Sequence, residues 1–163
     1  MTIVLVTGMS GVGKSTALAE LERRGHRVVD TDYGDWSEDV PSADDGESER
    51  LWREDQIEAL LTEHSGGALF VSGCVRNQVK FYPRFHAVVL LSAPEGVVLD
   101  RVATRRTNEF GKTGAERGRI LRDLREVEPL LRAGATAEID TRRPVGEVAD
   151  LLESIAERSA ASG

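Results

Sequence analysis

The stretch "TGMSGVGKST", Thr7–Thr16, is entered from the apolar run Ile3-Val4-Leu5-Val6. Glycines at 8, 11 and 13 let the backbone curl so that successive N–H groups point into one concavity, and a helix starting at Lys14 adds the positive end of its dipole. Gly8, four residues, Gly13, Lys14 and Ser15 is the spacing that cradles phosphates between a strand and a helix. The turn Gly8, Gly11, Val12, Gly13, Lys14, Ser15, Thr16 is therefore expected to wrap a nucleotide's phosphates. Lys14 would reach the outer ones, and the Ser15 hydroxyl would serve Mg²⁺. A turn that merely caps a helix would leave the lysine and serine at that register without a reason.

Working outward, 163 residues with 40% apolar content suffice for one core and predict a single domain. No run approaches the ~20 apolar residues of a membrane span, so the expected location is cytoplasmic, with no membrane partner. Cys74 is the sole cysteine and cannot form an internal disulfide, and the three histidines share no metal-ligand spacing. The net charge of −7 would repel a nucleic-acid backbone. It hides an asymmetry: Asp30 to Glu63 carries thirteen acids against two arginines, whereas Arg101 to Arg125 carries eight basic residues against three acids. Opposed patches of this kind suit a polyanion lying under a basic cover, or two solvated helix faces.

Four more compact apolar runs read as buried strands: Arg27–Asp30, Ala68–Ser72, Ala87–Leu91 and Ala137–Asp140. Helical periodicity fills the gaps at Lys14–Arg24, about Glu49–His64, about Pro94–Thr104, Ala115–Arg132 and Val145–Ala156. Strands alternating with helices predict an α/β fold, a five-stranded parallel sheet with helices on both faces. Ligands of such sheets bind outside the carboxyl ends of the strands. Asp35–Ser48 and Thr107–Gly114 break the rhythm and read as mobile loops.

Asp30-Thr31-Asp32 ends the second strand, where alternation would place the two carboxylates on one face. One would hold Mg²⁺ or its water and the other would accept a hydroxyl proton; alternatively, Asp32 simply caps a turn. At this point the chain resembles the small P-loop metabolite kinases of the shikimate kinase and nucleoside monophosphate kinase group, above all shikimate kinase. The likeness runs through the phosphate turn, Asp30-Thr-Asp32, "DGESERLWRED" (Asp45–Asp55), "FVSGC" (Phe70–Cys74), "ATRRTNEFGKTG" (Ala103–Gly114) and "PLLRAGATAEIDTRRP" (Pro129–Pro144). It implies an acceptor-side insertion at about 33–64 and a lid at about 105–118. It also implies that Asp30 belongs to the Mg²⁺ shell and that Asp32 contacts the acceptor hydroxyl.

On the acceptor side the resemblance implies Trp52 and Arg53 as an aromatic–arginine grip on an anionic group. Arg76, after the third strand, is the other anion candidate, and Ser72 or Gly73 would let an acceptor approach the backbone closely. Arg53 reads equally as a surface arginine paired with a helix neighbour. In the lid, Arg105 or Arg106 would stack on adenine and Lys112 would reach the transferring phosphate. Arg143 and Pro144 would close over the base. Ser72-Gly73-Cys74 retains one glycine of the shikimate kinase run, and the arginine that family carries shortly before the Pro-Leu of the penultimate helix would align near Val127, with Arg125 only a displaced substitute. These departures point away from shikimate itself. The expectation is an ATP- and Mg²⁺-dependent kinase acting on a hydroxyl of a small polar metabolite. The alternatives are a nucleoside monophosphate kinase and a nucleotide-binding regulatory protein or slow ATPase.

Overall fold

A computed structural model describes residues 1–42, 48–104 and 113–162. The run that leads into the phosphate turn becomes β1 (Thr2–Thr7), the middle strand of a five-stranded sheet. Its neighbours are β5 (Ala68–Ser72) and β6 (Ala87–Ser92), with β2 (Arg27–Asp30) outside the first and β7 (Ala137–Asp140) outside the second. All four pairings are parallel, as expected.

Burial on both faces explains why the central strands are uninterrupted apolar runs rather than alternating ones. Val4 and Val6 face α1 (Lys14–Arg23), α3 (Glu95–Thr104), α4 (Gly114–Glu126) and α6 (Val145–Ser162). Ile3 and Leu5 face α2 (Glu54–Glu63) and a 3₁₀ segment (Arg76–Arg84). The two cores put the carboxyl ends of β1, β2, β5 and β7 around the phosphate turn.

Four expectations need correcting. Asp35–Ser48 is not loop throughout: β3 (Ser37–Pro41) pairs antiparallel with β4 (Ser48–Trp52). The second helix starts at Glu54, not Glu49, because Ser48–Trp52 is drawn into that hairpin and Trp52 into the core. The helix expected over Ala115–Arg132 breaks at Val127, ahead of Pro129, which sits in the first turn of α5 (Glu128–Gly134). Proline lacks an N–H and disfavours helical backbone before it, which makes that break local chemistry. The last helix runs on to Ser162, because no proline or glycine interrupts it after Ala156.

Trp52 is the clearest change of role. The expected acceptor contact is 1% exposed and packs on Phe81 and Phe85. Its indole N–H donates to Thr31 Oγ1 at 2.9 Å, while the Asn77 side chain accepts from its backbone N–H and donates to its backbone carbonyl, both at 3.0 Å. Trp52→Ala should therefore destabilise the protein by about 3–5 kcal/mol in urea unfolding. A wild-type midpoint in that variant would return Trp52 to the surface.

Candidate functional site

The phosphate turn is shaped by backbone that only glycine adopts comfortably: Gly11 and Gly13 have φ of +85° and +102°. Gly13 caps α1 without a side-chain hydrogen bond, and the helix has no acid in its first turn. This is the arrangement in which a helix N-terminus suits an anion. The Lys14 ammonium folds over the turn and donates to the carbonyls of Gly8 at 2.5 Å and Met9 at 3.1 Å. Val12 turns its side chain into the core and contributes its carbonyl instead, which accepts from Thr141 at 2.6 Å and from Arg101 at 3.2 Å.

Next to this turn the Ser15 hydroxyl donates to Asp30 Oδ2 at 2.7 Å, while the Asp32 amide donates to Asp30 Oδ1 at 3.1 Å. The residue between the two aspartates is the anchor. Thr31 is fully buried; its hydroxyl donates to the Ser72 carbonyl at 2.7 Å and accepts from Trp52, and its carbonyl accepts from Ser37. Thr31 is thus pinned into the core between Asp30, which ends β2, and Asp32, which lies exposed in the turn beyond the strand. Gly73 is required by the same packing, since a Cβ there would lie 2.6 Å from Thr31 Oγ1 and 3.0 Å from the Trp52 ring.

A cavity of about 680 Å³ opens over the turn. It is lined by the turn residues Gly11, Gly13, Lys14, Ser15 and Thr16, by Asp32, and by Arg143. Asp30 instead borders an adjoining groove of about 610 Å³ that also touches Ser15. Desolvation by surrounding protein pushes the Asp32 carboxyl above its ordinary range, Lys14 opposes that rise and Asp30 adds to it. Burial likewise pushes the Cys74 thiol up.

Several expected site residues lie elsewhere. Arg53 reaches Glu38 at 3.8 Å and Arg76, largely exposed, reaches Glu49 at 2.9 Å. Pro144 is exposed at the foot of α6 and, like Gly8, is outside the cavity lining. Arg105, Arg106 and Lys112 lie outside the described residues. Conversely, Thr141, Tyr33 and Cys74 line the cavity without having been assigned a place there, and Arg101, expected only as part of the basic cover, lines it too. Arg101 donates to the Thr141 hydroxyl at 2.8 Å and to its carbonyl at 2.6 Å, tying α3 and the end of β7 to the phosphate turn. The signal for Thr141 was its place one residue past a strand end; for Arg101 it was its helical spacing from Arg105.

Among the described residues no group of three or more His, Cys, Asp and Glu side chains could hold a metal, and no helix is long and apolar enough to cross a membrane. A family model described as an AAA domain matches residues 4–122. The chain belongs to this AAA domain family. The matched span of this AAA domain protein contains the phosphate turn, both aspartates and Arg101, and stops short of Thr141 and Arg143. No curated protein matches the chain.

Solved structures share the fold over nearly its whole length. The shikimate kinase of Bacteroides thetaiotaomicron is 18% identical with a TM-score of 0.65, covering 96% of this chain and 98% of that one. The shikimate kinase of Acinetobacter baumannii, in complex with shikimate, is 18% identical with a TM-score of 0.61, covering 99% and 94%. A gluconokinase from Sinorhizobium meliloti 1021 is 19% identical with a TM-score of 0.61, covering 99% and 94%. The α/β architecture is thus that of P-loop kinases, as the sequence resemblance implied.

Proposed function

We propose that the chain is an ATP- and Mg²⁺-dependent kinase that transfers the γ-phosphoryl group of ATP to a hydroxyl of a small polar metabolite. The observation that carries the reading is the convergence of the phosphate turn with Asp32 on one cavity. The family and the kinase neighbours support it as precedent for the fold.

The chain's own residues divide the work. The turn amides and Lys14 bind the phosphates, and Arg101, Thr141 and Arg143 line the same cavity where the remainder of a nucleotide would extend. Ser15 and Asp30 are hard oxygen donors held side by side at 2.7 Å, which fits a cation that takes few protein ligands and draws the rest from phosphate and water. Mg²⁺ supplies charge neutralisation on the phosphate oxygens when bound. Asp32 accepts the acceptor's hydroxyl proton as the new P–O bond forms and the bond to the β–γ bridging oxygen breaks, releasing ADP. Of the lid residues, Arg105 or Arg106 would stack on the adenine and Lys112 would bring positive charge to the transferring phosphate.

The test is ADP release from Mg²⁺–ATP with and without candidate acceptors. Strong stimulation by a hydroxyl metabolite is expected. Stimulation by nucleoside monophosphates alone would move the acceptor to a phosphate. Tight ATP binding with turnover that no acceptor accelerates would make the protein a nucleotide-dependent regulator.

A further inference from the structure

The peptide between Val12 and Gly13 is gripped at one end. Its carbonyl accepts from the Thr141 hydroxyl at 2.6 Å and from the Arg101 guanidinium at 3.2 Å, and that guanidinium also donates to the Thr141 hydroxyl at 2.8 Å. Thr141 is itself fixed. It is buried just past the end of β7, and its backbone N–H donates to the carbonyl of Ser92, the last residue of β6, at 2.9 Å. Two strand ends and α3 thus converge on one backbone oxygen of the phosphate turn.

A trans peptide is planar, so its carbonyl and its N–H point in opposite directions. Holding the Val12 carbonyl against Thr141 therefore turns the Gly13 N–H the other way. Gly13 lines the cavity, whereas Val12 sends its side chain into the core. The hold matters because of the residue that follows it. Gly13, at φ +102°, has no side chain to bias its backbone, and glycine populates both signs of φ readily. Rotating this one peptide would withdraw the N–H and present a carbonyl oxygen, a partial negative charge, toward the phosphates. The glycine that permits the turn also permits the flip.

We infer that Thr141 is a positioning residue for phosphate binding: its hydroxyl, backed by Arg101, fixes the peptide so that the Gly13 N–H is presented to a phosphate oxygen. The inference rests on the phosphate-binding part of the kinase reading and needs no acceptor. It also makes Thr141 a link between the two ends of a nucleotide, since Arg143 lines the same cavity from the same turn.

The experiment is titration calorimetry on the full chain with two Mg²⁺-loaded probes, a non-hydrolysable ATP analogue and inorganic tripolyphosphate, which has the phosphates without the base. Thr141→Val keeps the shape of the side chain and removes the hydroxyl. It should raise Kd about tenfold for both probes, the worth of roughly one hydrogen bond. Thr141→Ser keeps the hydroxyl and should stay within about twofold of the parent. A loss confined to the ATP analogue would put the role of Thr141 at the base end, and an equal loss in Thr141→Ser would trace it to the methyl group. Either result overturns the inference, as does parental binding of both probes by Thr141→Val. A parent that binds neither probe overturns the nucleotide reading with it, whereas the kinase reading fails separately, on the acceptor assay above. NMR of the unmodified chain supplies a measurement that does not depend on the variants folding. The Gly13 amide proton should move downfield when tripolyphosphate is added, as an N–H gaining a charged acceptor does, and an unmoved signal overturns the inference.

Discussion

Asp32→Asn is expected to lower kcat by about 10²–10⁴ while nucleotide affinity stays within about twofold of the parent. The substitution is nearly isosteric, and the turn it sits in is held by Thr31, not by the Asp32 side chain. What is lost is the proton acceptor. Because desolvation holds the Asp32 pKa above the ordinary carboxylate value, activity should fall as pH drops through that raised pKa, at a higher pH than a free aspartate would give. Asp30→Asn should move this acid limb to lower pH, since the Asp30 charge is one cause of the rise. The sign for stability is opposite to that of a salt-bridged carboxylate. A raised folded-state pKa means that ionising Asp32 costs folding free energy above that pKa, so the Asn variant should not melt earlier at neutral pH. Calorimetric titration with an ATP analogue, a pH–rate profile and a thermal melt read these three outcomes separately. Near-normal turnover in Asp32→Asn would remove Asp32 as the base.

Lys14→Ala is expected to cost roughly 10³ in kcat/KM or more, together with a loss of nucleotide affinity. The ammonium is already oriented over the turn by the carbonyls of Gly8 and Met9, so a phosphate oxygen meets a positioned charge rather than one that must first be ordered. Lys14→Arg should rescue poorly, because a planar fork does not replace a compact ammonium inside a glycine turn. The variant also has a readout independent of turnover. Lys14 lowers the Asp32 pKa, so removing it should raise the Asp32 titration followed by NMR. An unshifted titration would show that the two groups do not share the cavity.

The elements that could be read in advance are those whose cause is local. Ile3–Val6 is continuous hydrophobe because β1 is covered on both faces, and the glycines after it have few uses other than a tight turn. Asp30 sits at the carboxyl end of β2 beside the phosphate turn, and Thr31 next to it turns inward. Pro129 marked a helix boundary that periodicity alone overran. In each case the determinant lies within a few residues of its effect.

Distant partners settled the remainder. Ser48–Trp52 has enough helical pattern to be read into the following helix, yet it becomes a strand because Ser37–Pro41 pairs with it and the core behind Thr31 takes the Trp52 ring. Arg53 and Arg76 look from the chain like anion grips, and no local rule reveals that Glu38 and Glu49 fold back to meet them. Arg101 and Thr141 reach the phosphate turn across 89 and 129 residues of sequence. Backbone stereochemistry and side-chain periodicity act over a turn of chain and so were written in the order of residues. Ion pairing and burial depend on which surfaces packing brings together, and that was decided only in three dimensions.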